Sequence, residues 1–516
     1  MRLTGLTGVA LARTRVYLVV IPAFLLYGYN QSNIGGVLAY PSFTKYFPAI
    51  DTSNIGGAVQ DENAKAQRTV VAIYTIGCLI GSLAVTQIGN RLGRRKSLVI
   101  AAFMAAVGQI IQCSSFSLAQ LIVGRIVSGI GNGGVNAVVP VWQSECTSPK
   151  SRGKNVVIIG IFVSSGIAAA GWVNVGLSYV EDNEVSWRLP LAVPILFTLM
   201  IMAFTHCFPE SPRWLISKGR LEEAREAMRT LSRDDVVDER GIDVEIDNVS
   251  SLLQHGSQPE RGFLDFFKPG HQRLFYRMCL AIGINFGAQI TGSNAISYYG
   301  TTIFKKSLGL PSNKASLLNA GVLTWKIPAA VPAYFAVDRF GRKPLFIISS
   351  VGMGLSMAAL AGCVWAIDYR YTFGASVAAT FFLFFYVTFF PLGFLGANFL
   401  YATEIAPQDL RVHLAAIGTA TNWLFNFVIV EITPIAFVTI KWRYYIVFAV
   451  IGVSTAVLVY LLFPETKGRS LEEMDELFSD QEQWWQVTNY ARALNKGESE
   501  LLPKKAEMST SHIERV

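Results

Sequence analysis

Residues 90–96 read Asn90-Arg91-Leu92-Gly93-Arg94-Arg95-Lys96, and residues 338–343 read Asp338-Arg339-Phe340-Gly341-Arg342-Lys343. Each is a short basic stretch centred on a glycine. Apolar runs flank both, 69–89 and 97–115 around the first, 315–337 and 344–366 around the second. A helix needs about 20 apolar residues to cross the hydrocarbon core of a bilayer, so each stretch reads as the turn of a helical hairpin that spans a membrane. Similar runs recur at 16–38, 118–142, 154–177 and 188–208, and again at 273–300, 375–401, 412–438 and 444–463, making twelve in all. An even number of spans leaves both termini on one side.

Composition agrees. Hydrophobic residues make up 52% of the 516 and charged residues 16%, with a mean hydropathy of +0.38, values that make lipid the main solvent. The loops set the orientation. Both glycine-centred loops and Lys150 to Lys154 fall on one face; Glu181-Asp182-Asn183-Glu184 and the loop 39–68, where Asp51, Asp61 and Glu62 offset Lys45, Lys65 and Arg68, fall on the other. Basic loops stay in the cytosol, so both termini are expected there, in a multi-pass protein of the plasma membrane. The formal charge of +8 belongs to juxtamembrane loops rather than to a folded basic surface, so nucleic acid is not implied as a partner. Six cysteines, mostly inside apolar runs and without paired spacing, imply neither a disulfide framework nor a metal site. No cleavable leader is expected, because the first apolar run contains Pro22 and continues past the length of a secretory signal.

Two stretches are polar. Residues 209–272 carry the amphipathic pattern Leu221-Glu222-Glu223-Ala224-Arg225-Glu226-Ala227-Met228, and 465–516 form a polar tail whose end has little to fold around. The expected organisation is a six-helix bundle over 1–208, a cytosolic linker with short helices over 209–272, a second six-helix bundle over 273–464 and a cytosolic tail over 465–516. The halves repeat. Arg94 and Arg342 are offset by 248 residues, Glu145 and Glu404 by 259, Arg152 and Arg411 by 259, and Pro209-Glu210 and Pro464-Glu465 by 255. Parallel repeats of this kind suit alternating access across a membrane.

Four runs then become recognisable together: Gly89-Asn90-Arg91-Leu92-Gly93-Arg94-Arg95, Gly124-Arg125-Ile126-Val127-Ser128-Gly129, Pro209-Glu210-Ser211-Pro212-Arg213-Trp214-Leu215 and Pro464-Glu465-Thr466-Lys467-Gly468-Arg469-Ser470. In order and spacing, across about residues 16–478, the chain resembles the sugar-porter family of the major facilitator superfamily, and its texture is similar to fungal members. The resemblance implies an all-α membrane protein of twelve transmembrane helices in two pseudo-symmetric six-helix bundles. It also implies transport of a monosaccharide, polyol or sugar acid, with no cofactor and with the lipid bilayer as surroundings; oligomeric state cannot be read from it.

Glu145 and Arg152, like Glu404 and Arg411, lie seven residues apart at the ends of the fourth and tenth spans, facing loops that carry Arg91, Arg94, Arg339 and Arg342. The resemblance makes these eight residues an intracellular charge lock, pairing between halves; the plainer reading is anchorage of loops at lipid headgroups. For the substrate site, polar side chains inside apolar spans are the candidates. The seventh span offers Gln289, Thr291, Asn294, Tyr298 and Tyr299, with Gly287 and Gly292 as places to bend; the eleventh offers Asn422, Trp423 and Asn426. An amide both donates and accepts, as a sugar hydroxyl does. The resemblance puts Gln289, Asn294, Asn422 and Trp423 at sugar-contact positions, with interhelical hydrogen bonding or packing as the alternative for each.

Departures from the family pattern matter as well. Its fifth-span Gln falls on Gly160, the first of its paired seventh-span Gln on Ala288, and its tenth-span Trp on Phe399. Its eighth-span Asn falls on Lys326, which would bind a substrate carboxylate, pair with Glu431 or snorkel; a register error of two residues would put Thr324 there instead. In proton-coupled members an Asp in the first span pairs with an Arg at the position of Arg125, whereas this chain has Gly28-Tyr29-Asn30. Asn30 cannot change charge with pH, so facilitated diffusion is the expectation, with Glu431 as the other possible proton site. Two other functions on the same fold stay open: export of a more apolar metabolite, to which the run Phe381-Phe382-Leu383-Phe384-Phe385-Tyr386 lends itself, and nutrient sensing without transport, against which the short tail argues. No constellation of nucleophile and base, metal ligands or phosphate loop points to an enzyme.

Overall fold

The computed structural model describes residues 7–38, 40–52, 58–146, 152–180, 183–231, 242–243, 246, 263–268, 270, 272–370, 373–407, 410–469, 471–479, 487–488 and 491. Among them, eleven helices are long and apolar enough to cross a bilayer: Ala10–Val37, Glu62–Val85, Arg94–Cys113, Leu118–Glu145, Ile159–Leu177 and Val185–Thr205 in the first half, then Lys314–Val337, Arg342–Arg370, Phe373–Glu404, His413–Thr439 and Arg443–Leu462. The remaining span, seventh in order, is broken. Its first piece, Leu274–Ile290, ends at Thr291, and Ser293–Thr302 continues beyond it. Gly292 holds the break at φ +99°, a conformation that a residue with a Cβ adopts only at a cost. With that broken helix the fold is all-α, a membrane protein of twelve helices in two pseudo-symmetric six-helix bundles. Gly287, the other glycine expected to bend this span, sits inside regular helix; a Cβ there would lie 2.9 Å from Thr455 Cγ2. It gives close packing, not a hinge. The tenth span also breaks, between Phe373–Gly393 and Ala397–Glu404, which the sequence reading did not foresee.

The repeated motifs build the same device at the end of each half that carries the basic loops. Gly93 (φ +87°) and Gly341 (φ +92°) turn the chain between two spans. The helix that follows begins with backbone N–H groups that have no partner inside it. Glu210 accepts them from Arg94 and Arg95 at 3.0 and 3.1 Å, and Glu465 accepts them from Arg342 and Lys343 at 2.9 and 3.0 Å. A carboxylate placed there also meets the positive end of the helix dipole. Glycine is needed because a Cβ at 93 would lie 2.7 Å from Glu210 Oε2, and one at 341 would lie 2.6 Å from Glu465 Oε2.

Polar segments pack at this basic end. In the linker, Pro212–Ser217 and Leu221–Leu231 bury Trp214, Leu215, Ala224 and Ala227 against Ile242 and Ile246. The tail is more structured than its composition suggested: Leu471–Ser479 is a helix that buries Met474, Leu477 and Phe478 in the core of the second half, and its Asp475 pairs with Arg277 at 2.5 Å. The end of the tail lies outside the described residues. Within the aromatic run of the tenth span, Phe381 and Phe385 are exposed on the periphery, whereas Leu383 and Tyr386 are buried and Phe382 and Phe384 are half-buried.

Candidate substrate-binding site

The break at Gly292 turns the seventh span so that Gln289 and Asn294, on either side of it, point the same way. Asn294 Nδ2 donates to Gln289 Oε1, and Gln289 Nε2 donates to Asn422 Oδ1 on the eleventh span. The chain of amides ends on Asn422 Nδ2, which has no partner among the described residues. These groups border a cavity between the two halves whose open space, solvent included, is about 720 Å³. From the first half the walls are Phe24, Tyr27 and Gln31, then Asn136 and Pro140, then Ile159, Val163 and Ile167. The second half adds Ser293, Lys326, Phe390, Phe394, Asn398, Phe399 and Trp423 to the amide chain. Trp423 is fully buried and stands edge-on to Tyr27 and Tyr74, at 5.4 and 6.2 Å between ring centroids.

The cavity therefore gathers Gln289, Asn294, Asn422, Trp423, Lys326 and Phe399. Asn426 is buried but is not among the residues lining it. Tyr298 and Tyr299 serve elsewhere: they pack with Ile34, Val37 and Val430 between the cavity and the end opposite the basic loops, where Tyr299 Oη donates to the Val430 carbonyl at 3.0 Å. Gly160 and Ala288 also miss the cavity. A Cβ on Gly160 would lie 2.0 Å from the Leu395 carbonyl oxygen of the other half, and Ala288 is buried within the second bundle. Sequence reasoning passed over Gln31, Asn136 and Asn398. All three are amides inside apolar spans, a signal that was there to use.

Lys326 does not pair with Glu431. Its Nζ donates to Ser297 Oγ at 2.7 Å and lies 5.4 Å from the centre of the Phe390 ring, while Glu431 sits 2.9 Å from Arg68 of the second span. Thr324, the alternative in register, accepts a hydrogen bond from Trp172 Nε1 at 2.8 Å and does not line the cavity. Arg125 is not joined to Asn30. Its Nη2 donates to the Val71 carbonyl at 2.8 Å and its guanidinium lies 5.2 Å from the Tyr74 ring centre; Asn30 Nδ2 has no partner among the described residues.

At the basic end the acids pair within each half rather than between halves. Arg94 holds Glu145 through two bonds of 2.9 Å, and Arg342 holds Glu404 through bonds of 3.1 and 2.6 Å. All four side chains are largely shielded from solvent, so these are strong, geometrically fixed pairs. Arg91 and Arg339 are exposed, Arg411 is buried at the start of the eleventh span, and the Arg152 side chain lies outside the described residues.

Comparison with known proteins gives the same picture. Residues 16–478 match the family model described as sugar (and other) transporter. The chain is 33% identical over 505 residues to the sugar transporter STL1 of Saccharomyces cerevisiae, covering 96% of this chain and 87% of that one. It is 35% identical over 459 residues to the MFS-type transporter oryC of Aspergillus oryzae, covering 88% and 83%. The structure of the E. coli proton:xylose symporter XylE bound to 6-bromo-6-deoxy-D-glucose superposes with a TM-score of 0.77 at 25% identity, covering 90% of this chain and 98% of that one. With its repeated charge motifs, its broken seventh helix and a family match over nearly its whole length, the chain belongs to the sugar transporter family of the major facilitator superfamily, and is a multi-pass membrane transporter, not an enzyme.

Proposed function

We propose that this protein moves a small polyhydroxylated molecule, a monosaccharide or a related polyol or sugar acid, across the plasma membrane by alternating access. The basic end and both termini face the cytosol in this reading, as positively charged loops do. The observation that carries it is the amide-lined cavity between the halves, the place where carriers built from repeats hold their substrate. A second, narrower space adjoins it: it shares Asn136, Pro140, Phe399 and Thr419 with the cavity and is lined further towards the basic end by Val141 and Thr403. The far end is closed by the Tyr298 and Tyr299 cluster and by the Arg68–Glu431 ion pair, which joins the halves.

Facilitated diffusion is the mode we favour. Asn30 does not titrate, Arg125 finds its neighbours in a carbonyl and a tyrosine ring, and no Asp or Glu is among the described residues lining the cavity. Glu431, the alternative proton site, is engaged by Arg68. The test is uptake of radiolabelled neutral and acidic sugars and polyols into proteoliposomes that contain the purified full chain. Saturable uptake of at least one of them is expected, and no uptake of any would overturn the reading.

A further inference from the structure

Lys326 is 1% exposed and lies near the middle of its helix, Ser312–Phe340. It is the only Lys or Arg among the described residues that line the cavity, and no carboxylate pairs with it there. Three acids within the spans are engaged elsewhere: Glu431 with Arg68, Glu145 with Arg94, and Glu404 with Arg342. An ammonium carries three donors and no acceptor. Ser297 Oγ accepts one of them and donates its own hydrogen bond to the Ser293 carbonyl at 3.0 Å. A buried charge with one neutral partner is costly to maintain inside a membrane, and Phe390, Phe394 and Phe399 keep the surroundings apolar. A low dielectric strengthens attraction to any anion that arrives.

Two buried donors on this side of the cavity are unused. The acceptor oxygens of Gln289 and Asn422 are taken up in the amide chain, whereas the donors Asn422 Nδ2 and Trp423 Nε1 have no partner among the described residues. Across the cavity Asn136 has both its amide oxygen and its nitrogen unpartnered, which suits hydroxyl groups. A donor-rich wall around an ammonium, facing a wall suited to hydroxyls, matches a molecule with a carboxylate at one end and hydroxyls along the rest. We infer that the cavity selects polyhydroxylated monocarboxylates over their neutral counterparts, with Lys326 receiving the carboxylate. This rests on the carrier reading above and names the substrate class of the same site.

The experiment compares matched probes, D-gluconate against D-glucitol and D-glucuronate against D-glucose, in proteoliposomes that contain the full chain. Charge-assisted hydrogen bonds account for differences of roughly 10- to 100-fold, so each acid should be taken up at least about tenfold better than its partner at equal low concentration. Lys326→Gln should lower that acid-to-neutral ratio by at least as much, and Lys326→Arg should keep most of it. Size-exclusion profiles establish that each variant is folded, and the acid preference of the unaltered chain stands as a measurement that needs no variant. Uptake of the neutral sugars without preference for the acids, or a ratio unmoved by Lys326→Gln, overturns the inference and leaves the carrier reading intact. Absence of uptake for all four probes overturns both.

Discussion

Gly160→Ala should cripple transport although the substitution adds a single methyl group at a position outside the cavity. Gly160 lies eight residues into the helix Arg152–Leu177, about 12 Å from its basic end, where it meets the broken tenth span of the other half. A Cβ at 160 would stand 2.0 Å from the Leu395 carbonyl oxygen. Contacts of that kind shorter than 3.0 Å essentially do not occur, so the two helices must part by at least about 1 Å. The obstacle is backbone, which no rotamer change can move. Overpacking of this severity costs about 1–3 kcal/mol, and an equilibrium between states shifts by a factor of about 5 to 150 for that energy. The penalty falls on every state in which the halves touch here and spares those in which they are apart. Initial uptake should therefore fall by about the same factor. A Thr403→Cys reporter, in the space that leads to the basic end, should at the same time react faster with a membrane-impermeant thiol reagent supplied from that side. Unchanged uptake together with unchanged labelling would show that the Gly160–Leu395 contact plays no part in the cycle. The same geometry explains why a Gln, the residue that the resemblance puts at this position, has no room here.

Gln289→Ala should weaken substrate binding by about 1–3 kcal/mol, because it strands both of the amides to which Gln289 is bonded; Asn294→Ala, which strands one, should cost less, and equal dissociation constants for both variants and the unaltered chain would remove the amide chain from recognition. Glu404→Gln should destabilise the second half by up to about 3–5 kcal/mol, since it leaves Arg342 buried beside a neutral partner. A thermal melt in detergent that does not move would refute that. Uptake should equilibrate without exceeding the outside concentration under an imposed proton gradient; accumulation that an uncoupler abolishes would replace facilitated diffusion by symport, and Asn30→Asp would then show whether coupling strengthens at that position.

Twelve crossings and two repeated halves were legible because both are properties of long windows. Hydropathy over about 20 residues reports burial in lipid whatever the partners are, and the motif pairs recur because each half ends its helices in the same way. Glu210 and Glu465 illustrate this: a proline-glutamate pair far along the chain caps the helix that starts at Arg94 or Arg342, so the same spacing had to appear twice. The helix breaks were harder to read. Gly287 and Gly292 look alike in sequence, but only Gly292 takes a positive φ; Gly287 is used for its missing side chain against Thr455. The tail helix was missed since its apolar residues, Met474, Leu477 and Phe478, are few and acquire meaning only against Arg277 and the core of the second half.

Partner choice among the intramembrane charges was within reach, by depth rather than by sign. Lys326 is fourteen residues from the end of its helix at Ser312, about 21 Å at the helical rise, while Glu431 is eight residues from the corresponding end of the eleventh span at Thr439, about 12 Å. Two groups some 9 Å apart along the membrane normal do not form a contact pair unless one helix slides by more than a turn. Arg68, ten residues into a helix that begins at the same end with Ala58, sits about 15 Å down and can meet Glu431. Matching depth thus assigns Glu431 to the ion pair that joins the halves beyond the tyrosines and leaves Lys326 at mid-depth with Ser297. What sequence does not give is the rotation of each helix about its own axis, which turns Lys326 and Asn422 into the cavity, turns Asn426, one helical turn from Asn422, away from it, and puts Gly160 against Leu395 instead of a ligand. Those rotations are fixed by packing across the two halves, through contacts between residues more than a hundred positions apart.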